Sequence, residues 1–262
     1  MKKITINKIL KKKGKIPITC LTAYTKNIAE IVDKHCDIIL VGDSLGMVLY
    51  GMKTTREVKI ETMILHGKTV KNASKNSLVV LDMPYNTYKN KKLALSNAKK
   101  IVKLTKCDAV KLEGGKTIVN IIKHLVDKGI PVMGHIGLLP QSSKKFKFKG
   151  KNYTQRKKIF DDATAVANAG AFAIVVECVV EDLAKEITSN IHVPTIGIGA
   201  SKYCDGQILV VDDMLGLTGF SGRFVKKYAN LKKIIEKSIK NYSKDVKQRK
   251  FPSFKNVYNL KK

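Results

Sequence analysis

The sequence has no tryptophan, and no apolar run in its 262 residues approaches the length of a membrane span. A helix that crosses a bilayer needs about 20 consecutive apolar residues, so this absence argues against an integral membrane protein. The N-terminal segment MKKITINKILKKKGK is basic but lacks the continuous apolar core of a secretory signal. We therefore expect a protein that works in the cytoplasm.

Cysteine is scarce, and its spacing forms no recognisable framework. The five cysteines include no CxxC pair, and their odd number does not suit a set of disulfides. In a cytoplasmic chain the plain interpretation is reduced, mostly buried thiols. A zinc site has no support in this pattern.

Arginine is also rare, although the net charge of +29 is strongly positive. Such a charge can indicate nucleic-acid binding. However, the basic residues are mostly lysines spread along the whole chain, with arginine only at 56, 156, 223 and 249. Because base edges and phosphates are most often read by arginine, this composition favours a solvated lysine surface and no specific nucleic-acid partner. The positive field would still attract acidic substrates.

Short apolar segments alternate with amphipathic ones along the chain. The predicted strands are 16–23, 37–41, 77–82, 109–113, 131–135, 172–177 and 194–199, with a less clear eighth at 210–212. The predicted helices are 26–35, 57–75, 90–105, 116–128, 158–169 and 180–190. The strands lack strict alternation, which is typical of a parallel sheet covered on both faces.

Seven or eight such units predict an α/β fold of the (β/α)8 TIM barrel type. A doubly wound open sheet is the alternative, but no glycine-rich phosphate loop follows the first strand. We expect one barrel domain over 1–262, in which 223–262 forms a helical, lysine-rich C-terminal appendage.

Polar residues stand where the predicted strands end. These are Asp43, Asp82, Glu113, His135 and Glu177. In a barrel all these strand ends lie at the C-terminal face, where the catalytic residues of such enzymes are found. Clustered carboxylates need a proton, a lysine or a cation to compensate them, and oxygen ligands favour Mg²⁺. Because Mg²⁺ takes only one or two carboxylates, another acid is free to act as a base.

Each of these residues also has a simpler interpretation. Asp43 and Asp82 could cap the following helices. Glu113 and Lys111 could form a solvated ion pair, and His135 could be a hydrogen-bonded structural histidine. Independent caps would not predict that so many acids fall at strand ends, so the coincidence favours a site.

Several motifs together resemble one known family, ketopantoate hydroxymethyltransferase. They are TAY at 22–24, VGDSLGMVLYG at 41–51, DMPY at 82–85, VKLEGG at 110–115, GHIGLLPQS at 134–142, ECV at 177–179 and IGIGASKYCDGQILVVDDMLGL at 196–217. The resemblance runs in family order from about residue 16 to residue 225.

The resemblance implies a (β/α)8 barrel of the phosphoenolpyruvate/pyruvate-binding type. It implies transfer of a hydroxymethyl group from 5,10-methylenetetrahydrofolate to 3-methyl-2-oxobutanoate, giving 2-dehydropantoate through a Mg²⁺-stabilised enolate. This reaction belongs to pantothenate and coenzyme A biosynthesis. The family commonly forms a homo-oligomer, a decamer of pentameric rings.

The resemblance also implies roles for residues at matching positions. Mg²⁺ would be surrounded by Asp43, Asp82 and Glu113. The keto acid would contact Asp43, Ser44, Asp82 and Lys111. Glu177 would be the proton acceptor.

Two positions depart from the family pattern. Thr25 stands where the family usually has aspartate, and no role is transferred to it. The loop 142–158, SSKKFKFKGKNYTQRKK, replaces a glycine-containing segment with eight basic residues and no acid. This loop could simply be solvated, or it could attract the acidic tail of a polyglutamylated folate through Lys144, Lys145, Lys147 and Lys149.

Two other functions remain open from the sequence. A Mg²⁺-dependent lyase or mutase acting on a 2-oxo acid would share Asp43, Asp82 and Glu113, but it would typically need a lid loop with cysteine or histidine. A nucleic-acid-binding protein is suggested only by the charge, and its lysine-driven binding would fade steeply as salt rises.

Overall fold

A computed structural model describes residues 3–143 and 147–258 of the chain. The chain divides into two compact units, Met1–Val211 and Asp212–Lys262. The predicted arrangement, one domain with an appendage from residue 223, stays a prediction. Among the described residues, no helix is both long and apolar enough to span a bilayer.

The first unit contains a closed barrel of eight parallel strands that follow one another in chain order. Hydrogen bonding between the first and last strands closes the sheet. The strands are β1 (Ile18–Thr22), β2 (Ile38–Val41), β3 (Leu78–Asp82), β4 (Ala109–Glu113), β5 (Val132–Gly137), β6 (Ala173–Glu177), β7 (Thr195–Ile198) and β8 (Gly206–Leu209). The predicted (β/α)8 barrel is thus confirmed.

Helices connect most of the strands. The α-helices are α1 (Ile6–Lys12), α2 (Lys26–Val32), α3 (Leu45–Tyr50), α4 (Ile60–Ala73), α5 (Lys91–Thr105), α6 (Val119–Asp127), α7 (Tyr153–Asn168), α8 (Glu181–Asn190), α9 (Val211–Met214) and α10 (Leu231–Lys247). Short 3-10 turns occupy Thr55–Glu57, Lys116–Ile118 and Phe254–Asn256. The second unit contains α10.

The predicted eighth strand at 210–212 was wrong. The strand is Gly206–Leu209, and Val211–Met214 forms the short helix α9. Gly206 is needed because a Cβ there would lie 2.5 Å from the carbonyl oxygen of Ile18 on β1. The predicted bounds of the other seven strands agree with the structure to within two residues at either end.

The lower interior of the barrel is filled by apolar side chains that alternate along the strands. This cluster contains Ile9, Ile18, Cys20, Ile38, Leu40, Leu78, Val80, Ala109, Met133, Phe172, Ala173, Val175, Ile196 and Ile208. Ile9 comes from α1, which lies at the N-terminal ends of the strands. There Lys13 Nζ lies 2.8 Å from Asp205, the residue that precedes β8.

Candidate active site

The strand register places polar side chains directly above this apolar cluster. Because side chains alternate along a strand, the next position on the same face as Val80 is Asp82, and the one after Val175 is Glu177. Lys111 pairs in register with Asp82 on the neighbouring strand. The five predicted strand-end residues and Lys111 are all buried, at the C-terminal end of the barrel.

Lys111 and Asp82 form a buried ion pair. Lys111 Nζ lies 2.7 Å from Asp82 Oδ1, and each side chain is only 4% exposed. Burial alone would lower the pKa of Lys111, but the negative charges of Asp82, Glu113 and Asp43 outweigh burial and raise it. The ammonium therefore stays charged at neutral pH. The simpler interpretation of a solvated Lys111–Glu113 pair was wrong.

Asp43 reaches the same group of acids from the loop after β2. Its backbone N–H donates to Asp82 Oδ2 at 3.1 Å, and its own Oδ2 accepts from Gln141 Nε2 at 2.8 Å. Ser44 is the N-cap of α3, without a side-chain capping bond. Asn90, eight residues after Asp82, caps α5. The capping interpretation was therefore wrong for both aspartates.

The Asp43 carboxyl carries the clearest sign of crowded negative charge. Burial raises its pKa well above the usual range, and the nearby Asp82 and Glu113 carboxylates raise it further. Lys111 and the Gln141 hydrogen bond act in the opposite direction but do not cancel the effect. The four carboxyl groups of the buried site, those of Asp43, Asp82, Glu113 and Glu177, outnumber its two basic side chains, Lys111 and His135.

His135 lies between two glutamates at the end of β5. Its Nδ1 is 3.5 Å from Glu113 Oε1, and its Nε2 is 3.2 Å from Glu177 Oε2. Neither nitrogen makes an aligned hydrogen bond to any part of the chain that the structure describes, so the contacts are electrostatic. Burial and Lys111 lower the pKa of His135, but the two glutamates raise it to about 9.

The pKa of Glu113 shifts in the opposite direction to that of Asp43. Burial would raise its pKa, but the positive His135 and Lys111, together with the Gln141 backbone N–H, lower it below the usual range. Glu113 is therefore an ionised carboxylate at neutral pH.

Ser44 lies beside Asp43 and contacts a tyrosine from the TAY motif. Tyr24 Oη is 2.7 Å from Ser44 Oγ. His66 on α4 fixes the backbone here, since its Nδ1 lies 2.7 Å from the Tyr24 carbonyl oxygen. Thr25 is the N-cap residue of α2 and makes no side-chain capping bond.

The structure adds Gln141 and Tyr88, which the sequence did not indicate as site residues. The Gln141 backbone N–H donates to Glu113 Oε2 at 3.0 Å, while its side chain bonds Asp43. The Tyr88 hydroxyl donates to Gln141 Oε1. The only signal for Gln141 was its place in GHIGLLPQS, because a loop residue has no periodicity to reveal its burial.

The basic loop is described only in part. Lys144 and Lys145 lie outside the described residues. Further along, the backbone N–H of Lys149 donates to the carbonyl oxygen of Cys178, the residue after Glu177, at 2.7 Å. The middle of the predicted loop is thereby joined to the C-terminal end of β6. The predicted loop bounds 142–158 were too long at the C-terminal side, because α7 already begins at Tyr153.

The carboxylates fit Mg²⁺ by their donor chemistry and their excess negative charge. Hard oxygen donors are what Mg²⁺ prefers, and it usually retains several waters beside one or two carboxylates. Among residues 3–143 and 147–258, however, no three histidine, cysteine or acidic side chains form a ready metal-binding group. One or two of the acids, completed by water, are therefore the arrangement that suits this site.

Solved structures show the same fold in other enzymes. A 2,3-dimethylmalate lyase of the PEP mutase/isocitrate lyase superfamily matches with a TM-score of 0.60 and 12% identity, covering 95% of this chain and 85% of the lyase. A phosphonopyruvate hydrolase, solved in complex with oxalate and Mg²⁺, matches with a TM-score of 0.62 and 11% identity, covering 96% and 93% of the two chains.

Sequence comparisons are more specific. Residues 3–254 match the sequence profile described as ketopantoate hydroxymethyltransferase. A 3-methyl-2-oxobutanoate hydroxymethyltransferase of Pelagibacter ubique is 56% identical over 249 residues, covering 95% of this chain and 97% of the relative. One from Phenylobacterium zucineum is 49% identical, covering 98% and 95%. The chain therefore belongs to the ketopantoate hydroxymethyltransferase family, a family of hydroxymethyl-transferring enzymes in the pantothenate pathway.

Proposed function

We propose that this protein transfers a hydroxymethyl group from 5,10-methylenetetrahydrofolate to 3-methyl-2-oxobutanoate and releases 2-dehydropantoate. The observation that carries the proposal is the buried group of Asp43, Asp82, Glu113 and Lys111, with Glu177 two strands from Glu113. This group combines an excess of carboxylates for a cation, an ammonium for an anionic substrate and a separate acid for proton transfer.

Asp43 and Asp82 are the residues that would hold Mg²⁺, with Glu113 contributing directly or through water. When bound, the ion stabilises the negative charge that develops on the keto oxygen of the substrate. A phosphonopyruvate hydrolase of the same fold was solved with oxalate and Mg²⁺, so this fold can hold the ion together with a small anion.

Lys111 and Ser44 would hold the keto acid. The Lys111 ammonium is fixed by Asp82 and needs no reorganisation to meet a substrate anion. The Ser44 hydroxyl is oriented by the Tyr24 hydroxyl and can donate to a substrate oxygen.

Glu177 would remove the proton from C3 of the keto acid. The His135 ring, 3.2 Å from Glu177 Oε2, holds that carboxylate at the end of β6. In the net reaction, the resulting enolate carbon becomes bonded to the one-carbon unit, both C–N bonds that join this unit to the folate break, and water supplies the new hydroxyl group. Tetrahydrofolate leaves with its two nitrogens protonated by the C3 proton and by the second proton of the water.

Exchange of the C3 hydrogen in deuterium oxide tests this role. We expect Glu177→Gln to bind the keto acid as the wild type does but to lose exchange by at least 100-fold, since general bases contribute about 10² to 10⁴. Glu181→Gln, four residues further along the chain, is the matched control and should exchange normally. Wild-type exchange in Glu177→Gln would remove Glu177 from this role.

The family resemblance further suggests a homodecamer that works in the cytoplasm. Sedimentation analysis of the purified full-length chain measures the assembly, and we expect ten chain masses. A monomer at micromolar concentration would contradict that expectation without affecting the assignment of the site.

A further inference from the structure

We propose that Gln141 is a positioning residue that sets the arrangement of the carboxylates for the divalent ion. The inference rests on the proposed function, because it assumes that Asp43, Asp82 and Glu113 serve a cation. It adds a residue from the loop after β5 to a site otherwise made from strand ends and the loop after β2.

Gln141 contacts two of the three acids at once. Its Nε2 donates to Asp43 Oδ2 at 2.8 Å and to the Met83 carbonyl oxygen at 3.0 Å. Its backbone N–H donates to Glu113 Oε2 at 3.0 Å. The residue is only 3% exposed, so these bonds form away from competing water.

The orientation of the amide is determined by Tyr88. The Tyr88 hydroxyl donates to Gln141 Oε1, and the Glu113 backbone N–H in turn donates to the Tyr88 oxygen at 3.3 Å. A tyrosine phenol holds its proton at neutral pH, so it can donate to the amide oxygen. A flipped amide would turn its oxygen toward the Asp43 carboxylate, so the NH₂ group must face Asp43.

A neutral amide suits this position for an electrostatic reason. It holds the Asp43 carboxylate by a hydrogen bond without adding positive charge, so the negative excess remains available to a cation. Because Gln141 holds Oδ2, the orientation of the Asp43 carboxylate would already be set before a cation binds. Partners that orient ligand groups in this way typically change metal affinity about 10- to 100-fold when they are removed.

The loop backbone is anchored independently of the Gln141 side chain. Arg56 Nε donates to the Gln141 carbonyl oxygen at 2.8 Å, and the Arg56 guanidinium lies over the Tyr85 ring at 5.3 Å. A side-chain substitution at Gln141 therefore leaves the backbone contact to Glu113 in place. The effect of the amide can be separated from collapse of the loop.

The experiment measures Mn²⁺ binding to the full-length protein by calorimetry and by electron paramagnetic resonance. We expect Gln141→Met, which keeps the side-chain length, to weaken Mn²⁺ binding by at least tenfold. Tyr88→Phe, which leaves the amide free to flip, should weaken it by about threefold or more and serves as the second variant if Gln141→Met does not fold. Gln207→Leu is the matched control, because it removes a glutamine hydrogen bond to the Ser201 carbonyl oxygen outside the site.

The outcomes separate the two proposals. If folded Gln141→Met binds Mn²⁺ with the wild-type affinity, the role of Gln141 alone is overturned. If Gln141→Met does not fold, wild-type affinity in Tyr88→Phe has the same consequence. If Gln207→Leu weakens Mn²⁺ binding by the same factor, the effect comes from packing in general, and the proposed role of Gln141 is also overturned. A wild-type protein that binds no Mn²⁺ would instead overturn the metal site of the proposed function.

Discussion

Lys111 places a positive charge among acids that would otherwise repel one another. Its ion pair with Asp82 is almost fully buried, so removing the ammonium leaves a carboxylate without compensation. We expect Lys111→Met to lower the free energy of unfolding by about 3–5 kcal/mol and to raise the KM for the keto acid at least tenfold.

Urea unfolding and substrate titration measure the two effects. Lys123→Met is the control, since Lys123 pairs with Asp127 on an exposed helix surface and should cost at most about 1 kcal/mol. An unchanged KM in a folded Lys111→Met protein would exclude Lys111 from substrate binding.

Asp33 gives a pH-dependent contribution to stability far from the acids of the site. Its carboxylate accepts backbone N–H groups of Ser77 at 2.8 Å and Lys75 at 3.0 Å. Burial would raise its pKa, but these hydrogen bonds lower it below the ordinary value. Its stabilisation is therefore present above about pH 4 and is lost as the pH falls through the lower folded-state pKa.

We accordingly expect Asp33→Asn to reduce the free energy of unfolding by about 1–3 kcal/mol at pH 7. Urea titrations at a series of pH values should show this difference shrinking below about pH 4. Asp127→Asn, at an exposed ion pair, should change stability by no more than about 0.5 kcal/mol. A difference independent of pH would contradict the role of the Asp33 charge.

The position of several candidate site residues could be predicted from the sequence, because a carboxylate that directly follows an apolar strand can be recognised there. The partners could not be predicted in the same way. That Lys111 pairs with Asp82 depends on the register between β3 and β4. Gln141 and Tyr88 lie outside the strands, where their burial and their bonds follow from the folded loops alone.

At the scale of elements, the junction of β5 and β6 fixes the backbone of Glu177. Gly137 has φ +91°, and a Cβ there would lie 2.4 Å from the Glu177 carbonyl oxygen. That oxygen accepts a hydrogen bond from the Leu138 N–H at 2.8 Å. Only glycine tolerates both the left-handed conformation and this close approach.

We expect Gly137→Ala to displace Glu177 and to lower kcat at least tenfold. Gly129→Ala is the matched control, since Gly129 also has a positive φ of +76° but open space around its Cβ position. Both variants carry conformational strain of about 1–3 kcal/mol, whereas only Gly137→Ala has the clash. Steady-state kinetics and thermal unfolding of both variants test this prediction. Equal kcat values for the two variants would contradict the proposed displacement of Glu177.

Helix α1 contributes to stability from the opposite end of the barrel. Ile9 is fully buried against the first residues of the strands, in the cluster with Ile18, Ile38 and Leu78. We expect Ile9→Ala to lower the free energy of unfolding by about 2–5 kcal/mol through the cavity it leaves. Ile31→Ala, at a 58% exposed position on α2, should change it by no more than about 0.5 kcal/mol.

Chemical denaturation measures the free energy of unfolding of both isoleucine variants. At denaturant concentrations below the unfolding transition, the kcat of Ile9→Ala should equal the wild-type value, because Ile9 is remote from the acids. Equal stability of Ile9→Ala and the wild type would show that α1 is not part of the core. A lower kcat for fully folded Ile9→Ala would show that the two ends of the barrel are coupled.

The order and type of most elements follow from periodicity and from helix-ending glycines. Gly129 and Gly170 lie just after the predicted helices 116–128 and 158–169, and both adopt the left-handed conformation that commonly ends a helix. The eighth strand was misplaced because GQIL begins with a glycine and includes an exposed glutamine, which weakens the strand signal. Helix α1 was not predicted, since its burial depends mainly on one residue, Ile9.

At the scale of the whole molecule, the net charge of +29 and the local charge of the site have opposite signs. A general positive field favours the approach of an anionic keto acid, and its effect decreases as salt rises. The site itself has more carboxylates than cations, which is the condition for recruiting a divalent ion. The two opposite charges are therefore compatible with the proposed combination of an acidic substrate and Mg²⁺.

The decisive measurement is product formation by the purified full-length protein. It is mixed with 3-methyl-2-oxobutanoate and 5,10-methylenetetrahydrofolate, with Mg²⁺ or with a chelator, and 2-dehydropantoate is followed by mass spectrometry. We predict product with Mg²⁺, little or none with the chelator, and at least a 100-fold loss in a folded Asp82→Asn variant. No product from folded wild type with Mg²⁺, or equal rates in the chelator, would contradict a Mg²⁺-dependent transferase site built from these strand-end acids.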